Sequence, residues 1–212
     1  MSKIKKAVGS QKASGRNPNE KFLNVNFAGS YRKSAKTTLA KGPTKNFANI
    51  EALRKVLPTD ATMRSKYPHI RDPQKTPKGR LQEEQLNVQV NAWIFAVKLE
   101  METNGDGDFH VIMGSSPTLN EDKLMNVEIS ALNPSSPDKD ALLTARKQFI
   151  DLFADTQLGT SYDKFFSNPR KVRVKGSVFF DGDHNPNTIG PTGAKPQTVW
   201  EIHPVIAIKA LG

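Results

Sequence analysis

Three of the four histidines fall in the second half of the chain, each with a carboxylate close by in sequence: Asp108 with His110, Asp181 with His184, and Glu201 with His203. A two-residue step, as in Asp108/His110 and Glu201/His203, puts both side chains on one face of a strand. If the three places converge, the imidazoles of His110, His184 and His203 and the carboxylates of Asp108, Asp181 and Glu201 hold a divalent metal ion and activate water. That is the machinery of a metal-dependent hydrolase or nuclease, although the spacing matches no known metal signature. The alternative is that His110 and His203 are partly buried and hydrogen-bonded to neighbouring carboxylates, so that they tie strand ends together. Asp106-Gly107-Asp108 and Asp181-Gly182-Asp183 each lack the third acidic ligand and terminal Glu of a helical calcium loop. Tight-turn chemistry accounts for them equally well.

A second chemistry lies in the basic residues. Lys171, Arg173 and Lys175 alternate along a β-like segment beside Arg170, with Phe179 predicted to be exposed on the same face. Such a face tracks phosphates while a base stacks on the ring. It also fits an ordinary solvated strand whose lysines discourage edge pairing. Arg32 and Lys33, following Tyr31, extend the basic set toward the N-terminus, whereas Arg146 reads as solvent-facing charge on a helix.

The distribution of charge separates two regions. Residues 1–84 hold 19 Lys and Arg against 6 Asp and Glu, a net of +13, while residues 85–212 hold 12 against 15, a net of −3. The first 45 residues are rich in Lys, Ser, Gly, Asn and Thr, and their apolar residues are too scattered for a core of their own. No apolar h-region follows the opening lysines, so the expectation is a cytoplasmic basic extension. The absence of Cys excludes disulfides, thiolate zinc sites and cysteine nucleophiles. No apolar run is long enough to cross a membrane as a helix. Nucleotide-binding glycine fingerprints and a serine nucleophile elbow are also missing.

The elements that must position these residues follow from periodicity. Within the extension, Phe47, Ile50, Leu53 and Leu57 predict a helix near 46–57 with Asn46 as its cap and Pro58 as its stop. Thr59 can cap a further turn, and Pro68, Pro73 and Pro77 mark a linker before a boundary at residue 84. From 85 onward the predicted order is three strands (88–99, 109–113, 124–129), a helix opened by Ser136-Pro137-Asp138, then two strands (171–180, 199–208). Three strands, a helix and two strands is the order of a five-stranded OB-like Greek-key barrel. The first strand is long enough to bend round a corner and serve two sheets.

Asp108-Phe109-His110, Phe179-Phe180-Asp181 with His184, and Glu201-Ile202-His203-Pro204-Val205 resemble a group of uncharacterised bacterial OB-like domains, over about residues 86–210. The resemblance implies an OB-like barrel and supplies no substrate.

The leading expectation is therefore a non-catalytic, largely sequence-tolerant nucleic-acid-binding protein, with single strands favoured over duplex. A basic arm and the barrel stripe would form its grip. Two alternatives stand beside it: the metal-dependent hydrolase described above, with a divalent ion as its only cofactor, and an assembly protein of a phage or other multi-subunit particle. Neither requires a membrane.

Overall fold

The computed structural model describes residues 16–212 apart from Glu102 and Asn104; the opening lysines of the basic extension and the first residue of the Asn104-Gly105 turn lie outside the described residues. Among the described residues seven strands form: β1 (Thr44–Phe47), β2 (Asn87–Leu99), β3 (Phe109–Gly114), β4 (Leu124–Ile129), β5 (Asp163–Lys164), β6 (Arg170–Phe180) and β7 (Trp200–Ala210). The α-helices are α1 (Lys33–Thr37), α2 (Ile50–Arg54), α3 (Asp60–Lys66) and α4 (Lys139–Leu152).

The chain is mainly β, and five strands close a barrel in the order β2-β3-β4-β7-β6, with β6 returning to β2. Strand β2 makes the closure possible. Its residues 87–94 pair with β6, its far end pairs with β3, and an irregularity between Ile94 and Ala96 turns it from one neighbour to the other. Neighbouring barrel strands are antiparallel except β4 and β7, which run parallel with Asn126 opposite Glu201. Strand β1 adds alongside β2 in parallel, and the two-residue β5 pairs with Ala96 and Val97. A side chain at Gly176 would collide with the Pro204 carbonyl oxygen, so a glycine lets β6 and β7 approach there. The His203–Pro204 peptide is cis.

Alternation sets the inside of the barrel. Val88, Val90, Phe109, Val111, Met125, Val127, Val172, Val174, Ile202 and Val205 all face one buried core. Burying each such side chain contributes about 1.5–3 kcal/mol relative to leaving it in water. Helix α4 covers part of this core with Leu142, Ala145, Phe149 and Ile150. It begins at Lys139, two residues after Pro137, because Ser136 Oγ is turned back to accept from the Asp138 N–H. Arg146, expected in solvent, is fully buried on this helix. Its guanidinium donates to the carbonyls of Phe22, Gly107 and Ile129 at 2.7–3.1 Å, three acceptors from separate segments that sequence spacing cannot reveal.

The basic segment is built into the same body. Ile50, Leu53, Met63, Ile70 and Leu81 belong to the barrel's core cluster. The boundary at residue 84 thus marks a change of charge and not a change of core. The predicted helix near 46–57 is shorter than its pattern, since Thr44–Phe47 is drawn into β1 and Asn49, not Asn46, caps α2 by accepting from Ala52 N–H at 2.9 Å. Thr59 caps α3 as expected. Asn19 pins the start of the segment by donating to the Phe153 and Thr156 carbonyls and accepting from Leu158 N–H. Among the described residues no helix is long and apolar enough to cross a membrane.

Candidate functional sites on two outer faces

The outward side of a barrel strand is either solvated or covered, and this barrel has one face of each kind. The covered face is made by His110, Asn126, Glu128, Glu201 and His203, the residues that alternate with the core side chains of β3, β4 and β7. Asp108 sits just ahead of β3. All six are buried. The cover comes from the N-terminal segment around Lys36 and from the loop after β6, whose Ala194 packs with Phe95, Ile112 and Leu124.

The sequence-predicted residues Asp108, His110, Glu201 and His203 do converge, and Glu128 joins them. Glu128 lies between the two imidazoles, with Oε1 3.1 Å from His110 Nε2 and Oε2 3.0 Å from His203 Nδ1. His203 also stands 3.2 Å from Asp108 and 3.5 Å from Glu201. Asn126 donates to Glu128 and Glu201 at 2.8 and 2.9 Å. The His203 contacts have ion-pair distances without hydrogen-bond alignment, so both ring nitrogens, Asp108 Oδ2, Glu128 Oε2 and Glu201 Oε2 have no aligned hydrogen bond.

The electrostatics follow from crowding. Burial disfavours charge on His203, but Glu128, Asp108 and Glu201 outweigh it and hold the imidazolium well above its ordinary range. Burial also works against charge on Glu128, and His110 and His203 outweigh it, so this carboxylate is held well below the usual range. Glu201, pressed first by burial and then by Glu128, is pushed up to about 8. Burial raises Asp108 despite its contact with His203.

His184 and Asp181 do not join this group. His184 is 40% exposed and stands 3.2 Å from Asp181, whose carboxylate raises it to about 9. His184 is therefore withdrawn from the predicted metal-ligand set, because its turn carries it to the rim. The two Asp-Gly-Asp pieces meet over Lys36 instead of calcium: its ammonium is 2.7 Å from Asp106 and 3.6 Å from Asp181.

Two residues predicted for nucleic-acid binding are also buried. Arg32 is bound through both terminal nitrogens to Glu84 and donates to the Pro77, Gly79 and Phe180 carbonyls. Phe179, expected in solvent, is fully buried between the Arg32 guanidinium at 4.8 Å and the His203 ring at 5.6 Å. Phe179 keeps the outward side, since Val178 and Phe180 face the core, and it is enclosed because the segment carrying Arg32 and Lys36 covers this end of β6. Lys33 is half-buried and donates to the Phe27 carbonyl, while Arg170 is tied to Asp155 and the Leu152 carbonyl.

The solvated face keeps Lys171, Arg173 and Lys175. Across β2 they stand opposite Trp93, Asn91 and Gln89, and on β7 Lys209 lies beside Arg173 and Ala207 beside Lys175. No Asp or Glu occurs among these cross-strand partners. Arg173 donates to Asn91 at 2.9 Å, and the Lys171 ammonium lies 5.6 Å from the centre of the half-buried Trp93 ring.

Sequence reasoning missed Glu128, Asn126, Lys36, Trp93 and Lys209. Strict alternation over Leu124–Ile129 already placed Asn126 and Glu128 on one face, a signal that was there to be used. Lys36 and Trp93 gave none, because their roles depend on which segments meet. No family model and no curated protein matches this chain.

Proposed function

We propose that this protein binds single-stranded nucleic acid, with little sequence preference, on the solvated face of β2, β6 and β7. The observation that carries the reading is the acid-free stripe Lys171, Arg173, Lys175 and Lys209, with Trp93 at one end beside Lys171. Cations at this spacing meet successive phosphates and release counterions, and the indole offers a base a stacking surface. Gln89 and Asn91 add neutral hydrogen-bonding groups. The aromatic contact is assigned to Trp93, since Phe179 is enclosed, and Arg32 and Arg170 serve the fold.

The strand order and the parallel β4–β7 pair support an OB-like reading of the barrel. So does α4, which lies in the chain between the third and fourth barrel strands. OB-folds commonly bind oligonucleotides on the face of their second and third strands. Here the corresponding β3–β4 face is covered, so the proposed surface is on the other side. That covered cluster opens no route for a substrate, and the hydrolase reading is accordingly not adopted.

The test is a salt titration of binding to an oligothymidylate, followed by fluorescence anisotropy. Wild type should lose affinity steeply with salt, and Lys171→Gln/Arg173→Gln/Lys175→Gln should lower the slope of log K against log salt by about 2, three contacts at about 0.7 each. Unchanged affinity and slope in the folded triple variant would remove this face from the interaction.

A further inference from the structure

We propose that Asp108, Glu128 and His203 hold one divalent transition-metal ion, zinc or manganese, as a closed structural site knitting β3, β4 and β7 together. The proposal is independent of nucleic-acid binding. One ligand atom from each of the three residues lies within 4.8 Å of the others, with Asp108 just ahead of β3, Glu128 on β4 and His203 on β7. Donors bound about 2.0–2.2 Å from an ion stand roughly 3.0–3.5 Å apart. Glu128 Oε2 lies 3.0 Å from His203 Nδ1 and Asp108 Oδ2 lies 3.2 Å from Nε2, so an ion on either nitrogen finds one carboxylate at that spacing and draws the other in from within 4.8 Å.

The second observation is the set of buried polar atoms directed into this space without an aligned hydrogen bond. Besides Asp108 Oδ2, Glu128 Oε2 and both nitrogens of His203, it includes Glu201 Oε2 and Asn126 Oδ1. Buried carboxylate and amide oxygens normally find partners.

Charge points the same way. Lys36 is engaged by Asp106 and Asp181. The Lys36 charge still acts on Glu128 and Glu201 without contact, and in contact the trio Asp108, Glu128 and Glu201 meets the two imidazoles of His110 and His203. A divalent ion supplies the missing positive charge and leaves His203 neutral, as ligation requires. Two carboxylates and one imidazole form a mixed donor set, suited to zinc or manganese. Full enclosure is the property of structural sites, whereas catalytic sites keep an open position.

The experiment uses the full chain, unfolded in urea with chelator and refolded with zinc or manganese so that a closed site can load. After desalting, wild type should retain about one equivalent and unfold at a higher temperature than protein refolded without metal. Glu128→Gln, which keeps the acceptor for Asn126, and Asp108→Asn should retain less than about a tenth of an equivalent and lose the thermal shift. X-ray absorption at the edge of the bound ion should show an oxygen-rich shell with a single imidazole, and this reads the wild type even if both variants fail to fold. Retention of neither ion by refolded wild type would overturn the proposal. So would undiminished retention by both variants, or a shell without an imidazole.

Discussion

One outer face of this barrel is open and its cross-strand partners are free of acids, and the other is sealed and crowded with them, yet β6 and β7 contribute to both. The first half of β6 gives Lys171, Arg173 and Lys175 to the open face, while its far end gives Phe179 to the closed one. Strand β7 mirrors this, with Glu201 and His203 buried and Lys209 exposed. In water a charge needs no fixed partner, so the open face tolerates four cations side by side. Once water is removed, every charge must be answered by another charge or by a hydrogen bond. The closed face is therefore specified by partners drawn from the whole chain, and the open face by strand alternation alone.

The largest expected break is on the closed side. Glu84 answers Arg32 and also accepts the Leu81 and Phe180 N–H groups, with both side chains of the pair fully buried. Glu84→Ala should cost about 3–5 kcal/mol in chemical denaturation, because it strands a buried guanidinium. Phe179→Ala should cost a similar amount, about 3–5 kcal/mol, by opening a cavity beneath the cover. A loss below about 1 kcal/mol in both, as for exposed positions, would mean that the N-terminal segment does not hold this face closed.

On the open side the same kind of truncation should act on binding instead of stability. Trp93→Ala should weaken oligothymidylate binding by about 1–3 kcal/mol. Anisotropy at constant salt measures this, and affinity equal to wild type would remove the stacking role. Lys175→Gln alone should leave stability within about 0.5 kcal/mol and reduce the salt slope by about 0.7. A larger stability loss would show that the two faces are less distinct than their burial implies.

The smallest effect lies at the rim between them. His184 is raised in the folded protein by Asp181, so its contribution is fully present below its ordinary value near 6.5 and is lost as pH rises through about 9. Partial exposure screens it to below about 1 kcal/mol. The stability difference between wild type and His184→Asn, followed from pH 6 upward, should shrink across that window. A difference that grows with pH would reverse the assignment of charge.

The sequence carried the barrel strands well, since Val88, Val90, Val172 and Val174 alternate with polar residues and their outward faces are regular there. It carried the histidine cluster in part: the short steps Asp108/His110 and Glu201/His203 put the right residues on one side of their strands. That β3 and β7 meet across β4 is a property of closure, and no spacing within one strand encodes it. Arg32, Arg146 and Phe179 were misplaced for one reason: an isolated Arg or a terminal Phe looks solvent-facing until a distant segment covers it.

Strand β7 also bears on how the chain comes together. Its parallel partner β4 precedes it by 75 residues, counted from Asn126 to Glu201. During synthesis β2, β3, β4 and β6 all emerge before it. Until β7 inserts between β4 and β6, the barrel is an open sheet with two unpaired edges. Such distant pairing is slow to form, because loop closure must precede the reward. The late strand brings Glu201, His203 and Lys209 together, so the sealed and the solvated face should mature in a single folding step.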